Sequence, residues 1–320
     1  MAAAVVARLG DLPTYIRVAR PDPGVGQVLV QVSAAAINPI DLRLATGKQY
    51  GITPAVPYIA GSEGVGQVVA GPRELLGRRV RFEVARGAPG ALAEFCVADA
   101  TTCVIPPESL PASVAAALGV AGMAAWIPLV DKARLRPGER VLVLGATGAV
   151  GRLAVQVAKL QGAKRVVAAA RDVEALAQLG ELGADAMVPL AGQSEEELQQ
   201  AFRGAAEGEL DVVFDPLWGA PVQAALRACA PSARVVQLGE SAGSEATLNS
   251  GVVRGRQLTI IGHSSPSTSW DLRARAYREL AERAVRGEIR VEVEQIRLAD
   301  VKRAWERQAG SPHVKLVLVP

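Results

Sequence analysis

The stretch VLVLGATGAVGRLAVQVAKLQGA, residues 141 to 163, constrains this chain more than any other: an apolar run opens into a glycine-spaced turn and then into a helical pattern. Gly145, Gly148 and Gly151 set the spacing GxxGxxG. Missing side chains at such a turn let backbone N–H groups at a helix start approach a pyrophosphate. The context of strand, turn and helix therefore predicts a dinucleotide site built from Thr147, Gly148, Ala149, Val150 and Gly151. A tight strand-to-helix turn without a ligand is the plainer alternative.

Around this motif the pattern alternates. Strand-like RVVAAA (165 to 170), AMVPL, DVVFD (211 to 215), RVVQLG (234 to 239) and QLTIIG (257 to 262) are separated by helical segments. One of those helices starts at Ser194, where Ser194 and Glu197 form a capping box that satisfies orphan N–H groups reciprocally. Apolar strands covered on both faces imply a doubly wound parallel sheet. By contrast, the first hundred residues are short β-type runs broken by Gly and Pro. A chain of 320 residues exceeds the usual size of one domain. The expected division is a mostly β domain over 1–112, completed by 269–320, and a doubly wound α/β domain over 113–268.

The end of the second strand of the sheet decides which dinucleotide binds. An acidic residue there accepts hydrogen bonds from a ribose 2′-hydroxyl; this chain has Ala170 followed by Arg171. A guanidinium offers a 2′-phosphate a charge-assisted contact, so NADPH is the expected cofactor. A solvated arginine leading the next helix is the alternative.

Composition excludes other classes. Thirty-five basic against 32 acidic residues give a net charge of +3, and the basic residues are scattered, so nucleic acid is not an expected partner. Three cysteines, Cys96, Cys103 and Cys229, form no disulfide framework and read as buried small hydrophobes of a reducing, cytoplasmic protein. The N-terminus reads as a first strand rather than a signal peptide. The uncharged stretch from Leu110 to Val130 is long enough to raise a membrane span. Its Ala and Gly content, with Pro111, Ser113 and Pro128, favours a packed helix at a domain boundary.

Several motifs in one order resemble the medium-chain dehydrogenase/reductase superfamily, in its quinone oxidoreductase or zeta-crystallin branch. They are INPIDLRLATGKQY (37 to 50), AGSEGVGQVVAG (60 to 71), GALAEF (90 to 95), GVAGMAAWIPL (119 to 129), the glycine turn, DVVFDPLWG (211 to 219), RVVQLG and the terminal VKLVLV. The resemblance implies a GroES-like catalytic domain interrupted by a Rossmann domain. It also implies pairing into a homodimer through the edge strand QLTIIG.

Where zinc-dependent relatives place Cys, His and Cys ligands, this chain has Asn38, Ser62 and Val120, which make no zinc site. No metal is expected. Without a Lewis acid to stabilise an alkoxide, acceptors that delocalise hydride charge themselves, quinones and α,β-unsaturated carbonyls, are the implied substrates. By the resemblance, Asn38, Asp41 and Tyr50 line the cleft facing the nicotinamide. Asn38 would orient the carboxamide or donate to the substrate oxygen, and Tyr50 would donate a hydrogen bond or proton. A turn or helix cap for Asn38 and Asp41, and apolar packing for Tyr50, are the alternatives.

Ala124 replaces a threonine that often contacts the nicotinamide, and Ala175 replaces a lysine that often assists at the 2′-phosphate. Gly239 and Gly262 end strands expected to face the nicotinamide, with His263 and Ser264 just beyond. Lys315 either points towards the cofactor or is an exposed lysine on an edge strand. Two rivals remain: a zinc-free enoyl thioester reductase of a biosynthetic pathway, and a non-catalytic NADPH-binding, crystallin-like protein.

Overall fold

The structure, a computed structural model, describes residues 1–47, 53–84 and 88–320. They form two compact units, Met1–Ala121 with Tyr277–Pro320, and Gly122–Ala276.

In the first unit, β1 (Ala2–Val6) pairs with β2 (Thr14–Arg17) on one side and β4 (Tyr58–Ile59) on the other. The ten-residue β3 (Gln27–Ala36) reads QVLVQVSAAA and sends Val28, Val30 and Val32 into the core, the two-residue period of a strand with one buried face. It leads into α1 (Pro39–Ala45), whose start is favoured by Pro39 at the first helical position. Then follow β5 (Glu63–Ala70), β6 (Arg79–Glu83), β7 (Phe95–Asp99) and α2 (Ala112–Ala117). Antiparallel pairs join β3 to β5 and to β7, and β5 to β6.

In the second unit, which begins inside α3 (Val120–Ile127), six parallel strands alternate with helices: β8 (Arg140–Leu144), α4 (Ala149–Leu160), β9 (Arg165–Ala170), α5 (Val173–Ala177), β10 (Ala186–Pro189), α6 (Glu195–Ala206), β11 (Leu210–Asp215), α7 (Gly219–Ala228), β12 (Cys229–Gln237), α8 (Ser250–Gly255) and β13 (Thr259–Gly262). The strand order β10-β9-β8-β11-β12-β13 reverses direction between β8 and β11. That reversal is the switch point at which open α/β sheets bind ligands. Leu142, Val167, Phe202, Val213, Val222 and Val235 belong to its core. The α6 capping box is present: Glu197 N donates to Ser194 Oγ, and Ser194 N to Glu197 Oε2.

The chain returns to the first unit within α9 (Trp270–Val285), then adds β14 (Val293–Arg297), α10 (Val301–Ala309) and β15 (Lys315–Val319). Strand β15 lies between β14 and β3. The sequence reading cut the chain at 112/113 and 268/269; the contacts cut it at 121/122 and 276/277, inside α3 and α9. Leu110 to Val130 is not one helix but α2, α3 and a π-helical turn beginning at Pro128, with a break at Leu118–Gly119. Among the described residues no helix is long and apolar enough to cross a membrane.

Candidate functional site

At the glycine turn of the second unit the three glycines answer three different demands. Gly145 has φ +61°, and a Cβ there would lie 3.1 Å from Leu217 Cδ2 and 3.2 Å from Pro216 Cγ, so both backbone and packing call for glycine. Gly151 lets α4 pack on the turn, because its Cβ would lie 2.6 Å from Ala146 Cα. Gly148 meets neither demand. Its φ is −70°, and the sole atom near an added Cβ is Gly145 O at 3.5 Å. Protein packing leaves this space open, as it must be where backbone comes close to a pyrophosphate.

Gly148 caps α4 without a side-chain bond, and the first turn carries no acidic residue. The first intrahelical bond runs from Arg152 N to Gly148 O, so the N–H groups of Ala149, Val150 and Gly151 precede the helical ladder. Such donors, with the helix dipole, favour an anion. Thr147 is buried beside them.

Strand β9 ends at the buried Ala170, whose carbonyl accepts Leu190 N. Arg171 is exposed and pairs with no acidic side chain among the described residues; its neighbour Asp172 caps α5 by accepting Ala175 N. Ala175 is buried. Gly239 follows β12 with Pro216 O 2.5 Å from where its Cβ would stand. Gly262 and Ser264 are exposed, and Ala124 on α3 is half-buried. His263 is buried, and its backbone N–H donates to Gln237 O. Its Nε2 lies 3.3 Å from Ser265 Oγ, while Nδ1 meets no partner among the described residues. Burial, with Lys132, lowers the pKa of this imidazole to about 4, so it is neutral at pH 7. Ala170 and Arg171, Gly239, and Gly262, His263 and Ser264 lie at or just beyond the C-terminal ends of β9, β12 and β13, whereas Ala124 is on α3 and Ala175 on α5.

A second constellation lies wholly within the first unit. Asn38, at the start of α1, donates from Nδ2 to Glu63 Oε1 (2.9 Å) and from its backbone N–H to Asp41 Oδ2 (2.7 Å). Lys315 Nζ donates to Asn38 Oδ1 and Ile37 O, each at 2.6 Å. Glu63 Oε2 accepts from Arg81 (3.0 Å) and from Val120 N (2.7 Å), and Arg81 also donates to Glu83 Oε1 (2.8 Å). Gly119 is glycine because a Cβ there would collide with Glu63 Oε2. The same carboxylate accepts the backbone N–H of Val120, the first residue of α3. Asn38, Asp41, Glu63, Arg81 and Lys315 are all buried.

Burial pushes the Asp41 carboxyl up to about 6 against the pull of the Asn38 N–H and the Lys315 charge, and burial likewise lowers the Lys315 pKa. Nearby, Ser62 faces the Asp41 carboxyl and helps hold its pKa down, and Tyr58 Oη is sealed from solvent with no hydrogen-bond partner among the described residues.

Two expectations change. Asn38 Nδ2 donates to Glu63 and, at 3.4 Å, to Ala36 O, and its Oδ1 accepts from Lys315, so the N–H groups assigned to a substrate oxygen already have acceptors. Lys315 is not an exposed edge residue: β15 is flanked on both sides, and the ammonium is buried against Asn38 rather than turned to solvent. Asp41 is the helix cap that the sequence allowed. Tyr50 lies outside the described residues. Glu63 and Arg81 were missed. Their signal was weak: one charged residue inside the strand run GSEGVG, and Arg81 among the three charged residues of RVRFEV. Among the described residues no group of three His, Cys, Asp or Glu side chains is placed to hold a metal ion.

The chain matches two family models: the alcohol dehydrogenase GroES-like domain over residues 24–134, and the zinc-binding dehydrogenase domain over residues 149–283. Among solved structures it resembles the quinone oxidoreductase of Thermus thermophilus, determined also in complex with NADPH, at 31% identity and TM-score 0.84 over 100% of both chains. Among curated proteins it is 36% identical over 227 residues to a phenolphthiocerol/phthiocerol polyketide synthase subunit of Mycobacterium tuberculosis, covering 70% of this chain and 10% of that one. It is 32% identical over 220 residues to prostaglandin reductase-3 of Bos taurus, covering 68% of this chain and 56% of that one. The chain thus spans about a tenth of the polyketide synthase and just over half of the reductase. With both domain models matched and one solved relative aligned end to end, the chain belongs to the medium-chain dehydrogenase/reductase superfamily, in its quinone oxidoreductase branch.

Proposed function

We propose that this protein is an NADPH-dependent reductase that transfers hydride to a quinone or an α,β-unsaturated carbonyl. The observation that carries the reading is the open space at Gly148 beside the unladdered N–H groups of α4. The backbone of Gly148, Ala149, Val150 and Gly151 would hold the pyrophosphate, and Arg171 the 2′-phosphate. A bound nicotinamide would supply the hydride.

The acceptor class follows from the donor set at Asn38, Ser62 and Val120: an amide already engaged, a hydroxyl and an apolar side chain do not make a zinc site. Acceptors that spread the incoming charge over their own conjugated system suit such a site. Among the described residues of the first unit, Asp41, with its carboxyl pushed up to about 6, is well suited to hold or pass a proton. Asn38 and Lys315 fix its surroundings. Strand β13 ends the sheet with Ile260 and Ile261 half-exposed, which supports pairing of two copies along that edge.

The relationship to a polyketide synthase subunit favours a second reading, reduction of an enoyl thioester. NADPH oxidation measured against quinones, enones and enoyl thioesters separates the two. Turnover confined to thioesters selects the second, and tight NADPH binding with no turnover on any acceptor removes both. The cofactor assignment has its own test. Arg171→Ala removes a hydrogen bond to a charged group, about 1.5 to 3 kcal/mol, so the NADPH Kd should rise roughly tenfold to a hundredfold while that for NADH barely moves. Equal losses for the two would sink the 2′-phosphate role.

A further inference from the structure

Asp215 is a fully buried carboxylate that none of these roles uses. It ends β11, which borders β8 across the switch point. Its Oδ1 accepts the backbone N–H groups of Leu217 and Trp218, each at 2.9 Å. Its Oδ2 is equally sealed from solvent and meets no donor among the described residues.

The loop that Asp215 holds sits directly on the glycine turn. Pro216 and Leu217 occupy the space left by the missing side chain of Gly145, and Pro216 O fills the space left by that of Gly239. On the far side, Leu217 O accepts Ala242 N (2.9 Å) and Pro216 O accepts Ser241 Oγ (3.2 Å). Within the loop Trp218 adopts φ +57° and ψ −160°, a conformation that a residue with a Cβ takes only when its surroundings impose it. Two bonds to one carboxylate oxygen are part of that imposition.

We propose that Asp215 is the positioning residue of the dinucleotide crevice: through the loop of residues 216–219 it fixes the glycine turn, and its unpartnered oxygen makes cofactor binding take up a proton. The inference rests on the reading of this crevice as a dinucleotide site.

Burial pushes the Asp215 carboxyl up to about 6, against the two backbone N–H bonds. The charged groups on its own and the surrounding elements are Asp211 on β11, Arg140 on β8, Arg234 on β12, Arg227 on α7 and Glu240 after β12. None of them contributes to that shift. A dinucleotide brings negative charge to the crevice and so favours the protonated acid. Binding therefore draws a proton, and affinity falls as pH rises above about 6.

The test is calorimetric titration of NADPH at pH 6.5 in two buffers of different ionisation enthalpy, on wild type, D215N and D215A. Asn keeps an oxygen for Leu217 and Trp218 but has no proton to gain. Wild type should take up more protons than D215N, by roughly 0.3 per site, while titration of the cofactor's own phosphate cancels in the difference. D215A should raise the NADPH Kd by about tenfold or more, and D215N should restore most of that loss. Equal proton uptake in wild type and D215N, or D215A binding as tightly as wild type, overturns the proposal. If D215A does not fold, the proton difference alone decides. If wild type binds neither NADPH nor NADH, the dinucleotide reading itself has failed and takes this inference with it.

Discussion

Gly148→Val should abolish dinucleotide binding while leaving the protein folded. The backbone at Gly148 is extended, with φ −70° and ψ 161°, which a β-branched residue adopts readily. The new side chain would meet little of the protein itself, since an added Cβ finds one neighbour at ordinary van der Waals distance. Loss of glycine at a helix cap costs about 1 kcal/mol or less. The isopropyl group would instead stand where the pyrophosphate must approach the α4 amides, so the Kd for NADPH should rise by about a hundredfold or more, some 2.7 kcal/mol. Gly151→Val provides the contrast, because there the side chain collides with Ala146 and the cost falls on stability, about 1 to 3 kcal/mol. Fluorescence titration with NADPH beside a thermal melt separates the two. A Gly148→Val protein that binds NADPH as wild type does would remove the pyrophosphate from this turn.

Arg81→Met should be the most destabilising of these single substitutions, through the first unit alone. The guanidinium and its partner Glu63 are each 1% exposed, Glu83 takes a second bond, and the Tyr277 ring lies 5.3 Å away. A buried pair of this kind adds little over a well-packed apolar pair, but removing one partner strands the other charge. The cost is about 3 to 5 kcal/mol. Glu63 would keep Asn38 and Val120 N as donors but lose its counter-charge. Urea denaturation measures the loss. Arg8→Met serves as the control, because the Arg8–Asp11 pair is 83% and 42% exposed and should contribute about 0.5 kcal/mol or less. A loss below about 1 kcal/mol for Arg81→Met would mean that water reaches the Glu63 carboxylate and that the pair is not sealed in the core.

What was legible in the sequence was what local chemistry determines. The glycine turn, the alternation of strands and helices and the Ser194–Glu197 cap each depend on neighbours a few residues apart, and each is present. The charged hub was not legible, because it is assembled across the chain. Arg81 meets Glu63 over 18 residues and Lys315 meets Asn38 over 277. A lysine in a short apolar strand reads as exposed unless the partner that compensates it is known. Likewise, nothing local distinguishes one long helix over Leu110 to Val130 from two short ones. Next to the break, Gly119 has no room for a side chain and Val120 N has an acceptor because of the carboxylate of Glu63, 56 residues before Gly119 in the chain. Asp215 ends a legible strand, but an oxygen left without a donor shows only in three dimensions.

The placement of β15 between β14 and β3 bears on the order in which the protein is made. The second unit is one uninterrupted segment and can close as soon as it leaves the ribosome. The first waits for residues 277–320, so its opening portion, with β3 already able to pair with β5 and β7, spends the synthesis of Gly122–Ala276 without the strand that pairs with β3 at Ala35 and Ala36 and without the ammonium that Asn38 accepts from. At about 5 to 20 residues per second that interval is roughly 8 to 30 s. Glu63 has Arg81 within the same opening portion, but the surroundings of Asn38 and Asp41 are among the last parts of the molecule to gain their cation, and the nascent chain carries them as an open, solvated edge until β15 arrives.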